Sequence, residues 1–398
     1  MKRKILIEKR DGRIRTFFME DGEIAEIHST PEDGGSSGRY RLGDIYIGKV
    51  QNIVPNIGAA FIEIEKGISC YFDMKDASHA IFTRKSGKKL LCIGDELVVQ
   101  ISKEAAKTKV PTVTSNVSFT GRYAVLTHGN TRIGVSSKLP RAVRDEFKEK
   151  LNSYRNEDFG LIVRTNAKNA PFSEVLKEIL SLRDEYERLR KNAQTRVCFT
   201  CLKSAPPPYI SDLKNVYMDG MESIVIGDRE LYTRIHLFFQ SELPEKTDLL
   251  ELYDNHEFPL DKLYSTQTAL DKALRERAWL KTGGYLIIQP TEALTVIDVN
   301  SGKASSKAGS EEGALKVNLE AAREAARQIR LRNLSGIIIV DFINMEQEEN
   351  TELLLREFRC HLAKDPIQST LVDMTALGLV EVTRRKTRRP LYEEEGVI

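Results

Sequence analysis

No run in the 398-residue chain is apolar over the roughly 20 residues a membrane-crossing helix needs. The opening residues, Met1-Lys2-Arg3-Lys4-Ile5-Leu6-Ile7-Glu8, return to charge at once, so no export signal is read there. Cysteine is scarce: five residues, an odd number, fit a reducing cytoplasm rather than a disulfide framework. Charge of one sign is missing too. The chain has 60 basic and 58 acidic residues, a net +2, so net charge gives no argument for nucleic acid and any basic surface must be local. A disordered composition is also absent, since 41% of residues are hydrophobic and 30% charged. A chain of this length has room for two to four compact domains, and the expectation is a cytoplasmic protein without a membrane span.

Local pattern supplies the organisation. Lys4–Glu8 alternates, Asp11-Gly12 is a hairpin turn, and Arg13–Met19 and Glu23–His28 continue a meander. Gly34-Gly35-Ser36-Ser37-Gly38 breaks it. From Arg39 to about Ser118, short β-rich runs separated by glycine and charged turns suit a small closed barrel. Strands are read near Tyr123–Leu126 and Leu161–Arg164, a polar helix over Ser173–Asn192, and a rigid linker at Ala205-Pro206-Pro207-Pro208. Beyond it, Val216–Ile226 and Leu231–Phe239 read as strands and Leu263–Lys281 as a helix. Tyr285–Gln289 and Ala293–Val299 follow as strands. Gly313–Asn333 is a helix with an apolar stripe at Leu315, Leu319, Ala322, Ala326 and Ile329, and Gly336–Ile343 is a buried strand.

Strand, helix and strand in that order form a βαβ unit, so Ala293–Val299 and Ile337–Ile343 should run parallel. Asp298 and Asp341 then both fall near carboxyl strand ends, where open α/β sheets bind ligands. An aspartate there often does no more than fix a turn. However, an unpaired carboxylate inside Ile-Val-Asp-Phe is costly, and the pair at matching ends points to a metal. Two carboxylates beside the amide of Asn300 suit Mg²⁺, a hard cation, which in such a site polarises a phosphodiester oxygen and lowers the pKa of an attacking water. No histidine or cysteine stands near, which disfavours zinc there. Lys316, Arg323, Arg327 and Arg330 make a cationic face on the crossover helix. Such a face is either solvated and paired with Glu320 and Glu324 or, next to a metal, holds a phosphate backbone.

Several blocks closely resemble the ribonuclease E/G family: Gly283–Ile288, Thr291–Lys303, Asn318–Ala322 and Gly336–Phe342. The resemblance runs through nearly the whole chain. It implies a Mg²⁺-dependent endoribonuclease with Asp298 and Asp341 as metal ligands and Asn300 supporting them. Such an enzyme cuts A/U-rich single-stranded RNA to leave 5′-phosphate and 3′-hydroxyl ends, in ribosomal and messenger RNA processing and decay. The family's later aspartate is Asn344 here and receives no role.

Gly43–Val50 and Gly58–Ile62 resemble the family's OB-fold RNA-binding domain, which implies that Phe61 and Tyr71 stack on bases and Lys109 contacts RNA. Gly160–Thr165 resembles its 5′-phosphate sensor, which implies Arg164, Thr165 and a backbone contact at Val125. The implied architecture is multidomain α+β. An RNase H-like subdomain comprises 1–38 and 208–274, with the OB-fold barrel (39–118) and the sensor region (119–207) between its parts; a DNase I-like catalytic subdomain covers 275–398. The family's Cys-Pro-x-Cys zinc link does not follow Gly378-Leu379-Val380-Glu381 here, and Cys198-Phe199-Thr200-Cys201 has no second pair nearby. A homo-oligomer would therefore not be joined by a C-terminal zinc link within this chain. A non-catalytic RNA-binding scaffold and a metal-dependent DNA phosphoesterase are the competing readings.

Overall fold

Asp11-Gly12 and Asp21-Gly22 both adopt positive φ (52° and 69°, then 48° and 87°), the primed-turn geometry that lets adjacent strands keep their twist. They join β1 (Arg3–Arg10), β2 (Arg13–Glu20) and β3 (Glu23–Pro31) into the expected meander. The computed structural model describes residues 2–32, 40–105, 109–216, 218, 220–302 and 311–397. The boundary expected at Gly34–Gly38 lies outside the described residues. The chain divides into two compact units, one formed by residues 1–32 and 218–398, the other by 33–217.

The 33–217 unit opens with β4 (Ile45–Val54), β5 (Ala59–Glu65), β6 (Ile68–Asp73), β7 (Phe82–Arg84), β8 (Glu96–Lys103) and β9 (Thr112–Thr114). Pairing in the order β4-β5-β6-β9-β8 returns to β4, so five strands close a barrel; β6–β9 is its one parallel contact. Val50, Ile62, Cys70, Phe72 and Val99 fill it. Next come β10 (Ser118–Thr120), β11 (Ala124–His128), β12 (Ile133–Val135), α1 (Arg141–Leu151) and β13 (Phe159–Val163). After them stand α2 (Phe172–Ala193), β14 (Cys201–Lys203) and α3 (Pro208–Asn215). The four-stranded sheet β10-β11-β13-β12 packs under α2 through Val175, Ile179, Leu182, Tyr186 and Leu189. Ile45, Ile81 and Val98 of the barrel region join that same cluster, so the segments 39–118 and 119–207 share a core. The expected linker at Ala205–Pro208 instead starts a helix: Pro208 is its first residue, where a missing N–H costs nothing.

In the other unit, β15 (Met221–Ile226), α4 (Arg229–Glu242), β16 (Leu250–Leu252), α5 (Leu260–Tyr264) and α6 (Thr266–Leu274) lead to β17 (Arg277–Trp279), β18 (Tyr285–Pro290) and β19 (Leu294–Asn300). Then follow α7 (Glu311–Leu331), β20 (Gly336–Asp341), α8 (Glu348–Leu362), β21 (Ser369–Met374), β22 (Leu379–Arg384) and α9 (Leu391–Glu394). One sheet runs β16-β15-β1-β2-β3, the other β17-β18-β19-β20-β22-β21. The strand expected over Leu231–Phe239 is helical. Asp228 caps its start by accepting from Leu231 N at 2.8 Å, and Leu231, Ile235 and Phe239 bury one face at a four-residue repeat. The single helix expected over Leu263–Lys281 is broken at Ser265, which has positive φ, and ends as strand β17.

Candidate active site

β19 and β20 are parallel neighbours, as their order around α7 requires, and Asp298 pairs in register with Asp341. Directly opposed residues on adjacent strands project from the same face, their backbones about 4.8 Å apart. That face is the open one. Leu286, Ile288, Ile297, Val299, Ile338 and Val340 alternate with it and are buried beneath α7 and α8. The carboxylates lie on the other side, with Ile287 opposite Asp298 and Ile339 two residues before Asp341. Asp298 is half-buried and Asp341 exposed.

The turn after β19 is held by close backbone packing. A Cβ on Gly284 would stand 2.7 Å from the Asn300 carbonyl oxygen, so only glycine fits there. Asn300 Nδ2 donates to Asp298 Oδ2 at 2.7 Å, fixing one oxygen of that carboxylate. Asp341 has no hydrogen-bond or ion-pair partner among the described residues. From the other side, Asn318 on α7 is fully buried. Its Nδ2 donates to the Ile343 carbonyl at 2.7 Å, and its Oδ1 accepts from Ile343 N at 3.0 Å. Glu320 accepts from Lys281 N and Thr282 N, tying the β17–β18 turn to the same helix. The sequence pattern points to no role for Asn318 and offers Glu320 only as an ion-pair partner of the cationic helix face. A buried amide on an otherwise apolar helix stripe was the available signal.

The donor set consists of oxygen atoms only, on one face and in register, which fits Mg²⁺, an ion held by one or two carboxylates while keeping several waters. Among the described residues no group of three or more His, Cys, Asp or Glu is arranged around a common point. The segment 303–310 after Asn300 lies outside the described residues. A cavity of about 380 Å³ lined by Ile288, Pro290, Thr291, Arg332 and Tyr392 sits at the other end of β18, away from the aspartates.

The cationic helix face does not stand free. Arg327 pairs with Glu324 at 2.7 Å, and Arg330 pairs with Glu20 at 2.9 Å and Glu26 at 3.4 Å, leaving Lys316 and Arg323 exposed. Arg327 and Arg330 are committed to the fold rather than to a phosphate backbone.

Residues 118–387, more than half of the chain, match the model of the ribonuclease E/G family. The chain belongs to the ribonuclease E/G family. It is 29% identical to ribonuclease G of Salmonella typhimurium over 98% of its own length and 81% of that protein. It is 32% identical to ribonuclease E of Nostoc sp. over 100% of its length and 57% of the relative. Against ribonuclease E of Synechocystis sp. it is 34% identical over 91% of its length and 54% of the relative.

In the 33–217 unit, Phe61 and Tyr71 pair in register on β5 and β6, their rings edge to face at 6.5 Å. Both are half-exposed, while Ala60, Ile62, Cys70 and Phe72 alternate inward, so the two rings are outside the barrel core. Lys109 is exposed, two residues before Pro111, whose carbonyl accepts from Tyr71 N at 2.8 Å; residues 106–108 lie outside the described residues.

Val125 pairs with Ile162, two residues before Arg164, so Val125 and Arg164 occupy one face of the four-stranded sheet. Arg164 donates from Nη1 to the Gly121 carbonyl at 2.6 Å and from Nη2 to Asn215 Oδ1 at 2.8 Å, both neutral acceptors. Burial lowers its pKa, with Glu178 working in the opposite direction. Glu178 holds the turn behind it, accepting from the backbone N–H groups of Arg122, Tyr123 and Ala124 at 2.8–2.9 Å. Thr165 Oγ1 lies 2.9 Å from Ser136 Oγ. Cys198 and Cys201 form no disulfide; burial raises the Cys198 thiol to about 11 and raises Cys201 as well. Among the described residues no helix is long and apolar enough to cross a membrane.

Proposed function

We propose that this chain is a Mg²⁺-dependent endoribonuclease that cuts single-stranded, A/U-rich RNA and leaves 5′-phosphate and 3′-hydroxyl ends. The observation that carries the reading is the in-register pair Asp298–Asp341 on the open face of the six-stranded sheet, in a chain of the ribonuclease E/G family. Asp298 and Asp341 would hold the ion, and Asn300 keeps one Asp298 oxygen turned toward itself. Mg²⁺ bound there supplies polarisation of a phosphodiester oxygen and a lower pKa for the attacking water. Ile287 and Ile339 flank the carboxylates with half-buried aliphatic surface.

The closed barrel is an OB fold on this reading: its strand order, with the parallel β6–β9 closure, supports it, and Phe61, Tyr71 and Lys109 carry its single-strand contacts. The sheets β16-β15-β1-β2-β3 and β17-β18-β19-β20-β22-β21 are the RNase H-like and DNase I-like subdomains. Arg164, Thr165 and Val125 form a 5′-monophosphate sensor that raises the cutting rate. Two features support it: a half-buried guanidinium whose hydrogen bonds among the described residues go to neutral acceptors, and a hydroxyl one residue away. Processing of ribosomal RNA and decay of messenger RNA in the cytoplasm is the role that goes with this substrate.

The test is a cleavage assay on a 5′-monophosphorylated A/U-rich oligoribonucleotide, with Mg²⁺ and then with EDTA. Wild type should cut only with Mg²⁺, and Asp298→Asn with Asp341→Asn should lower the rate at least about 10³-fold, several kcal/mol of transition-state stabilisation. Equal rates for wild type and the double variant would remove the metal site. A matching deoxyoligonucleotide cut equally well would make the chain a DNA phosphoesterase. In the same assay Arg164→Ala should narrow the rate gap between 5′-monophosphate and 5′-hydroxyl substrates, and an unchanged gap would end the sensor assignment.

A further inference from the structure

The register of the six-stranded sheet extends the open face past the aspartates. Arg277 pairs with Ile287, which pairs with Asp298; Trp279 pairs with Tyr285, which pairs with Asn300. Residues joined across strands in this way share a face, so Arg277, Trp279, Tyr285, Asn300, Asp298 and Asp341 all project on the same side. Two strand spacings sideways and two residues along place the Trp279 backbone about 12 Å from that of Asp298.

Trp279 is 64% exposed, although an indole normally dominates a core or an interface. Its ring meets Tyr285 edge-on at 5.3 Å. The Arg277 guanidinium lies 4.4 Å from the Tyr285 ring and 5.4 Å from the Trp279 ring, and has no carboxylate partner among the described residues. Two rings fixed against each other by a cation, on the surface that carries the carboxylates, form a platform for π-faces next to negative charge. A single-stranded nucleic acid offers both, while a folded protein surface offers no regular supply of either.

We propose that Trp279 and Tyr285, steadied by Arg277, are a base-stacking platform that holds the RNA strand beside the Asp298–Asp341 pair. It rests on the ribonuclease reading and adds a second stacking surface, in the unit that carries the aspartates and separate from Phe61 and Tyr71. Stacking contacts of this kind tolerate any base, so the platform positions the strand without choosing its sequence.

Trp279 is the only tryptophan in the chain, so intrinsic fluorescence excited at the indole edge reports this site alone. The full chain is titrated in EDTA with a labelled A/U-rich oligoribonucleotide, following label anisotropy and tryptophan emission together. Emission should change and saturate along the same curve as anisotropy. Trp279→Ala should weaken binding about tenfold, and Trp279→Phe should restore most of it. With Mg²⁺ added, Trp279→Ala should raise KM far more than it lowers kcat. Rising anisotropy with flat emission overturns the platform alone. Anisotropy that never rises defeats the ribonuclease reading and the platform with it. If Trp279→Ala alters the oligomeric state while RNA affinity stays at the wild-type value, the rings form a contact between copies and the proposal falls.

Discussion

Asn300 ends β19 and turns its amide back two residues, giving Asp298 a 2.7 Å hydrogen bond that restrains the carboxylate torsion. Asp341, across the strand pair, has no comparable restraint among the described residues, so one ligand of the proposed site is oriented in advance and the other is free to adjust. Groups that orient a ligand commonly govern metal affinity or rate by 10- to 100-fold. Asn300→Ala should therefore lower kcat about 10- to 100-fold, with a thermal midpoint close to wild type because the bond lies at a strand end and not in the core. Steady-state kinetics beside a melting curve checks this, and a wild-type rate would show that Asp298 needs no help. β20 is not the buried strand its apolar run suggests, since Ile337 is half exposed and Asp341 exposed. Both aspartates were nevertheless legible in the sequence, because the β19–α7–β20 order brings two strand-end carboxylates together. Trp279 was not: its place beside the aspartates comes from register across three strands, and the local pattern puts Arg277-Ala278-Trp279 inside the helix expected over Leu263–Lys281.

At the scale of elements, β20 is clamped at its start as well as at its end. Arg384 on β22 is among the most fully buried side chains, and pairs with Gly336, the first residue of β20. Its guanidinium donates to Asp365 at 2.7 Å and to Asn333 Oδ1 at 2.7 Å, joining β22 to the loops that leave α8 and α7. Removing one partner of such a pair strands a buried charge and costs about 3–5 kcal/mol, whereas an apolar replacement of both is far milder. Asp365→Ala should thus be severely destabilising, and Arg384→Met with Asp365→Leu should recover much of the loss, as read by urea unfolding. Single and double variants equally unstable would mean that shape, not charge, holds this corner. Elements with local signals were readable: the Asp-Gly hairpins and the β19–α7–β20 order. The α4 segment carries a misleading signal, because Leu231-Tyr232 and Phe238-Phe239 suggest strand while the cap Asp228 marks a helix start. On α7 the expected stripe is buried at Ala322, Ala326 and Ile329, whereas Leu315 and Leu319 are only half-buried and Ala314, Val317, Asn318, Ala321 and Ala325 complete the buried face. Close helix–sheet approach selects small side chains, and a pattern search weighted to leucine misses that choice.

Across the whole molecule, the order of strands shows how the units are threaded. β1 pairs in parallel with β15, although residues 33–217 separate them in the chain, so one sheet needs both ends of the unit formed by 1–32 and 218–398. The 33–217 unit is instead one continuous stretch with its own closed barrel, its own four-stranded sheet and two buried clusters. Contiguity and an internal core are the conditions under which an inserted unit folds when excised. A fragment spanning 33–217 should therefore unfold in a cooperative transition. If the proposed barrel contacts are right, it should also bind a single-stranded oligoribonucleotide with an affinity that falls as salt rises, and without cutting it. Phe61→Ala in that fragment should weaken binding by about 1–3 kcal/mol, the usual worth of one stacked base. Calorimetry and a binding titration at two salt concentrations decide it. A fragment that melts without a transition would mean that the unit depends on the rest of the chain, and a folded fragment indifferent to RNA would move strand recognition to the open face that carries Asp298, Asp341 and Trp279.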